Sequence, residues 1–211
     1  MELQLAFDGI SVENALKITQ DVKDLVDIIE MGTPFCYTNG AGVFKYFKAL
    51  APEVRLLADY KTMDGGYGMS KIAFDNGADI ATVSGRTWDD TIKEAIQCAK
   101  EHGKQVLVDL MGTPADEIVE RAKTIDSFGP DYLYLHRAVS VAGSTNPEEA
   151  LKLIKGSVKH AKIGVAGGIN LETLPGIVEA GPDLVIIGSA IYKSADPRDT
   201  ILKMRAIMDR R

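Results

Sequence analysis

The chain has 211 residues, a net charge of −6, 45% hydrophobic residues and 26% charged residues. This ordinary globular mix is long enough to bury a full core and excludes a disordered or collagen-like chain. The acidic balance, with Lys and Arg scattered rather than striped, argues against a nucleic-acid partner; no apolar run approaches the ~18 residues of a membrane span, which argues against a membrane partner.

Short apolar runs alternate with longer amphipathic ones along the whole chain. Strands are expected at residues 3–7, 26–31, 54–58, 80–83, 105–110, 132–135, 162–166 and 184–187. Helices are expected from Ser11 onward, with Glu13 and Asn14 in the first turn, and then at 41–50, 68–76, 88–102, 114–128, 147–158, 171–179 and 197–208. Pro114 suits a helix start, where its missing N–H is not needed. Strands such as Leu184-Val185-Ile186-Ile187 are apolar on both faces, as parallel strands covered by helices are.

A repeat sharpens the count. Gly77-Ala78-Asp79, Gly129-Pro130-Asp131 and Gly181-Pro182-Asp183 each end a helix and open a strand, and Val26-Asp27 gives the same signal without the glycine. Asp27, Asp79, Asp131 and Asp183 are each 52 residues apart. Glycine is the residue that tolerates the left-handed turn after a helix. A constant step of two strand–helix units points to four quarter-turns of a closed (β/α)8 TIM barrel, one domain over 1–211 with short loops.

Two cysteines only, Cys36 and Cys98, form neither a disulfide framework nor a zinc motif and read as reduced thiols of a cytoplasmic protein. Met1-Glu2-Leu3-Gln4-Leu5 reads as strand rather than as a signal peptide.

The chemistry of such a barrel lies at the C-terminal ends of its strands. Asp8, Glu30, Asp59 with Lys61, Asp109 and His136 stand at those ends of strands one, two, three, five and six. Charged groups there are costly unless they are paired or bind a metal. Each has a structural alternative: Asp8 as a cap of the next helix, Glu30 as an ion pair with Lys61, Asp109 as a loop residue, His136 as a hydrogen-bonded core histidine. The cluster favours function, because so many strands share the pattern. Strand alternation puts Asp59 and Lys61 on one face and Tyr60 on the other, and puts Glu30 with Ile28. A Glu and an Asp on adjacent strands suit a hard cation that keeps several waters, Mg²⁺ first and Mn²⁺ second. Ala166-Gly167-Gly168-Ile169-Asn170 and Gly188-Ser189-Ala190 follow strands seven and eight, the positions where this fold often binds phosphate through backbone N–H groups.

Asp59-Tyr60-Lys61-Thr62-Met63-Asp64 resembles the D-x-K-x-x-D motif of the orotidine-monophosphate decarboxylase suprafamily, of the ribulose-phosphate-binding barrel type. Segments 3–8, 26–34, 57–59 and 165–169 extend the resemblance over essentially the whole chain. Glu30 places it with the two metal-using branches, the 3-hexulose-6-phosphate synthases and the 3-keto-L-gulonate-6-phosphate decarboxylases. The resemblance implies that Glu30 and Asp59 hold Mg²⁺ and that Lys61 stabilises a 1,2-enediolate. It implies that Asp8 binds substrate hydroxyls, that His136 is the acid/base near the reacting carbon, that Asp109 is a further catalytic residue, and that Gly167, Gly168, Gly188 and Ser189 bind phosphate. It also implies a homodimer in which Asp64 completes the neighbouring site. The decarboxylases typically carry Glu, Arg, Thr and Arg where this chain has Asp109, Val139, Ala166 and Ser189, so the aldol reaction of formaldehyde with D-ribulose 5-phosphate is favoured over decarboxylation. The segment His136-Arg137 departs toward the decarboxylases. A barrel that only binds sugar phosphates is a further alternative, against which the intact set Glu30, Asp59, Lys61, Asp64 and His136 speaks.

Overall fold

The structure, a computed structural model, describes residues 1–136 and 147–209. Eight strands, β1 (Glu2–Phe7), β2 (Ile28–Met31), β3 (Arg55–Thr62), β4 (Ile80–Ser84), β5 (Gln105–Asp109), β6 (Tyr132–His136), β7 (Lys162–Ala166) and β8 (Leu184–Ile187), pair in chain order. All pairs are parallel, and β8 returns to β1, closing the barrel that the repeat predicts. The helices are α1 (Val12–Val22), α2 (Thr33–Asn39), α3 (Phe44–Leu50), α4 (Gly66–Asp75), α5 (Asp89–His102), α6 (Ile118–Asp126), α7 (Pro147–Ile154), α8 (Leu174–Ala180), α9 (Ser189–Tyr192) and α10 (Pro197–Met208).

Alternation along each strand divides the core in two. Ile28, Leu57, Ile80, Leu107, Tyr132 and Leu184 fill the barrel interior, whereas Leu5, Ile29, Leu56, Val108 and Val185 pack outward against the helices. The interior is therefore a packed plug rather than a pore, and open space is confined to its ends. At the N-terminal end, the Arg55 guanidinium reaches Glu2 (2.7 Å) and the Tyr132 hydroxyl (2.8 Å), closing the floor.

The repeat has a physical cause. The carboxylates of Asp27, Asp79, Asp131 and Asp183 accept the backbone N–H of Leu3, Leu56, Val106 and Ile163, at 2.8, 3.0, 2.9 and 2.8 Å. The N–H of each Asp donates back to the carbonyl of the same residue, at 3.0, 2.7, 3.0 and 2.9 Å. Each Asp thus ties the start of an even strand to the odd strand before it. Gly77, Gly129 and Gly181 all have positive φ (105°, 80° and 77°), as turns that end a helix require.

Several boundaries differ from expectation. Helix α2 was not foreseen; Gly40, at φ 68°, separates it from a short 3-10 turn at Ala41–Val43 that leads into α3. The single turn α9 was also missed. The expected helix at 114 begins only at Ile118, because Pro114 opens a turn closed by the Glu117 N–H on its carbonyl. Likewise α8 begins at Leu174 rather than at 171. Strand β3 continues to Thr62 instead of stopping at 58, because its charged end points into the barrel mouth and not to solvent. Ser11, not Asp8, caps α1, accepting the Asn14 N–H. Cys36 and Cys98 are free and buried. No helix among the described residues is long and apolar enough to cross a membrane.

Candidate active site

The barrel brings the expected residues together. Asp8, Glu30, Asp59, Lys61 and His136 line one cleft of about 470 Å³, whose opposite wall includes Gly167, Gly168, Gly188 and Ser189. Asp109, the last residue of β5 rather than a loop residue, lies buried just beneath, with Oδ2 3.2 Å from Lys61 Nζ and 3.4 Å from His136 Nδ1. Asp64 is not part of this cleft; it is exposed on the loop after β3 and accepts the Gly65 N–H. Arg137 and Val139, which bear on the choice between branches, lie outside the described residues.

Lys61 does not pair with Glu30. Its ammonium sits 2.6 Å from Asp59 Oδ2 and bridges to Asp109. Glu30 is held instead from below: its Oε2 accepts from the Gln4 side-chain amide and from the Tyr134 hydroxyl (3.3 Å). Asp59 is held on both oxygens. The Thr82 hydroxyl donates to Oδ1 (2.9 Å), while the Thr33 hydroxyl lies 2.7 Å from Oδ2. Gln4, Thr33, Thr82 and Tyr134 were missed from sequence because they are uncharged. The available signal was a polar side chain at an inward position of an otherwise apolar strand, visible for Gln4 and Thr82.

Strand β3 is irregular where it matters. Ala58 pairs with Ala81 but Thr62 pairs with Val83, so four steps along β3 match two along β4. The bulge lies between them and tilts Lys61 into φ 46°; no other non-glycine among the described residues has positive φ. Such a conformation costs an L-residue roughly 1–2 kcal/mol and persists where the surroundings impose it. Tyr60 points away and packs against the outer core, as alternation predicts.

The electrostatics follow from burying four carboxylates around one ammonium. Burial first, then the charges of Asp59 and Asp8, push the Glu30 carboxyl up to about 8. Burial and the Asp59 charge also raise Asp8. Burial alone would raise Asp109, but the His136 contact and the Lys61 charge outweigh it and hold Asp109 low. Burial opposes the charged form of Lys61, yet Asp59, Asp109 and Glu30 overcome this and raise it, so Lys61 stays protonated.

The donor set fits a hard divalent cation. Glu30 and Asp59 offer oxygen atoms from neighbouring strands at the cleft, and no hydrogen bond among the described residues uses Glu30 Oε1. Excess negative charge, expressed in the raised Glu30 carboxyl, is what a cation would neutralise. No group of three or more His, Cys, Asp or Glu side chains among the described residues forms a cage. Two carboxylates completed by water and substrate is the usual arrangement for Mg²⁺.

At the other wall, Gly167 and Gly168 both have positive φ (105° and 71°), which exposes a run of backbone there without side chains. Backbone of this kind can turn N–H groups toward an anion.

The family model described as orotidine 5'-phosphate decarboxylase / HUMPS matches residues 1–204. The chain belongs to this family. A 3-hexulose-6-phosphate synthase of Bacillus subtilis (strain 168) is 42% identical over 210 residues, covering 99% of each chain. The crystal structure of 3-hexulose-6-phosphate synthase from Salmonella typhimurium superposes with a TM-score of 0.93 at 39% identity, over 99% of this chain and 98% of that one. The structure of 3-keto-L-gulonate-6-phosphate decarboxylase from Vibrio cholerae O1 biovar El Tor str. N16961 shares the fold, with a TM-score of 0.85, 24% identity and coverage of 99% and 97%. The resemblance to the synthase branch and the expectation of a carbon–carbon lyase are met by the first two.

Proposed function

We propose that the chain is a Mg²⁺-dependent aldolase that condenses formaldehyde with D-ribulose 5-phosphate to give 3-hexulose 6-phosphate. One observation carries the proposal: a single cleft joins two buried carboxylates, a lysine and a carboxylate-backed histidine to a glycine-lined wall. Glu30 and Asp59 would hold the Mg²⁺, which when bound supplies Lewis-acid stabilisation to an oxygen of the ketose. Gly167, Gly168, Gly188 and Ser189 would take the phosphate, and Asp8 would accept hydrogen bonds from the sugar hydroxyls.

His136 acts as the base. With its Nδ1–H donated to Asp109, its Nε2 is left as the acceptor and removes a proton from C1 of the substrate. The C–H electron pair becomes the C1–C2 double bond and the C2 oxygen takes the negative charge, giving a 1,2-enediolate. Lys61, held protonated by its carboxylate neighbours, stabilises that charge. C1 then attacks the formaldehyde carbon, and the proton returns from His136 to the formaldehyde oxygen. Formaldehyde is neutral and needs no added cation; the residue after the β8 glycine is Ser189, not Arg.

The active unit in this proposal is a homodimer. Tyr37, Tyr60, Met69 and Ile72 line an apolar groove beside Asp59, and Tyr37 is 85% exposed. The buried Tyr60 hydroxyl has no hydrogen-bond partner among the described residues. A second copy covering this groove would bring its own Asp64 toward the cleft.

The test is formaldehyde-dependent loss of ribulose 5-phosphate. Loss with Mg²⁺ that stops in EDTA supports the proposal, and no loss under saturating Mg²⁺ contradicts it. A greater catalytic efficiency in releasing CO₂ from 3-keto-L-gulonate 6-phosphate would move the assignment to decarboxylation.

A further inference from the structure

The bulge in β3 needs something to hold it, and one side chain stands where both of its functional residues can be reached. Thr82, in the middle of β4, is 1% exposed. Its hydroxyl oxygen accepts the Lys61 backbone N–H at 2.9 Å. Its proton goes to Asp59 Oδ1, also at 2.9 Å. The regular ladder between β3 and β4 lapses over this stretch, so the Lys61 N–H has lost its usual strand partner and uses a side chain instead. The hydroxyl is therefore used on both sides, as acceptor and as donor, with neither function left for solvent.

We infer that Thr82 is a positioning residue for this site, acting through Lys61 and Asp59 rather than on substrate. By capturing the Lys61 N–H it keeps Lys61 in the left-handed conformation from which its ammonium reaches Asp59 and Asp109. By donating to Oδ1 it fixes the rotation of the Asp59 carboxylate, leaving Oδ2 for Lys61 and Thr33. The inference rests on the proposed roles of Lys61 and Asp59. Two neighbouring residues of opposite charge are thereby set by one uncharged group on a different strand. Serine keeps the hydroxyl, whereas valine keeps the shape and the β-branch that suit a strand but removes both hydrogen bonds.

Thr82→Val, Thr82→Ser and Lys61→Ala are compared with the unaltered chain. The readouts are kcat and KM for ribulose 5-phosphate, the Mn²⁺ affinity by electron paramagnetic resonance, the melting temperature and the crystal structures. For Thr82→Val the expected result is a kcat lower by about 10²-fold, the scale of a small misplacement of reacting groups. KM should stay within about 3-fold, since the phosphate wall is not touched, and Mn²⁺ binding should weaken as Asp59 is freed to rotate. Thr82→Ser should recover kcat to within about 3-fold of the unaltered chain, and the Thr82→Val crystal should show Lys61 relaxed to negative φ. The inference is overturned if Lys61→Ala is inactive while Thr82→Val keeps full kcat. It is equally overturned if Thr82→Ser is as damaged as Thr82→Val, which would mark a packing role, or if the Thr82→Val crystal leaves Lys61 unchanged. Full activity in Lys61→Ala would instead defeat the underlying assignment of the site, and the crystal would still decide the role of Thr82.

Discussion

Lys61 dominates the electrostatics of the cleft. It is the one cation among the cleft-lining residues named above, it is flanked by Asp59 and Asp109, and those charges hold it protonated against the cost of burial. Replacing it with alanine removes the charge that would meet a developing enediolate. Lys61→Ala should lower kcat by at least ~10²-fold, the scale of losing one preorganised stabilising group, while inorganic phosphate binds as before. Calorimetric titration with phosphate beside steady-state kinetics measures both; an unchanged kcat would remove Lys61 from the mechanism. Glu30 plays a different part. Its charge is unwelcome when the chain is alone, because burial and its neighbours push its carboxyl up to about 8. The proposed Mg²⁺ would neutralise that charge.

Four Asp ties join the strands in pairs, and two of them, Asp27 and Asp79, make the fold sensitive to acid. Burial would raise the Asp79 carboxyl, but Lys104, Lys48 and the Leu56 N–H together hold it below the usual carboxylate range. Asp27 is lowered in the same sense against burial by the Leu3 N–H and Arg205. A carboxylate whose folded pKa is depressed stabilises the fold fully above the unfolded value of about 4, and that stability is lost as pH falls through the lower folded value. The stability that these two ties add should therefore be constant between pH 6 and about pH 5 and fall away below about pH 4. Asp79→Asn should melt lower at neutral pH and lose less on acidification; calorimetry on both chains checks this, and an equal acid loss in Asp79→Asn would contradict it. These same aspartates made the architecture legible in sequence, since a tie between strands recurs at a fixed interval when the unit does. The cleft was legible for its charged members, because Asp8, Glu30, Asp59, Lys61, Asp109 and His136 interrupt apolar strands at one end. Thr82 escaped notice, because a threonine in a strand looks like a strand former until a bulge gives its hydroxyl two partners, and Thr33 because it opens a helix that the sequence does not announce. Helix α2 escaped for a related reason, its Gly32-Thr33-Pro34 start resembling a plain turn.

At the scale of the whole molecule, the barrel presents a finished cleft and an unfinished flank. Ile72, 48% exposed, lines the groove in which the Tyr60 hydroxyl has no hydrogen-bond partner among the described residues, and Met63, 57% exposed, and Asp64 stand on the loop after β3, Asp64 outside the cleft. The proposed homodimer, in which Asp64 is exchanged, would resolve both features, and two-fold assemblies do so reciprocally. Lys61→Ala and Asp64→Ala should each be inactive alone. Refolded together in equal amounts they should recover about a quarter of the unaltered activity, because half of the dimers are hybrids that hold one intact site. No recovery, with hybrids shown to form by mass spectrometry, would place Asp64 in its own subunit's site, and full activity of Asp64→Ala alone would place it outside the chemistry.

In the proposed reaction this cleft removes a proton from C1 of a ketose phosphate before any carbon–carbon bond forms. Proton exchange reads that step directly: ribulose 5-phosphate is incubated with the enzyme and Mg²⁺ in D₂O without formaldehyde, and C1 is followed by NMR. The expected result is stereospecific entry of one deuteron at C1, abolished by EDTA and by His136→Ala. A C1 that keeps both protons under conditions where formaldehyde is consumed would contradict it.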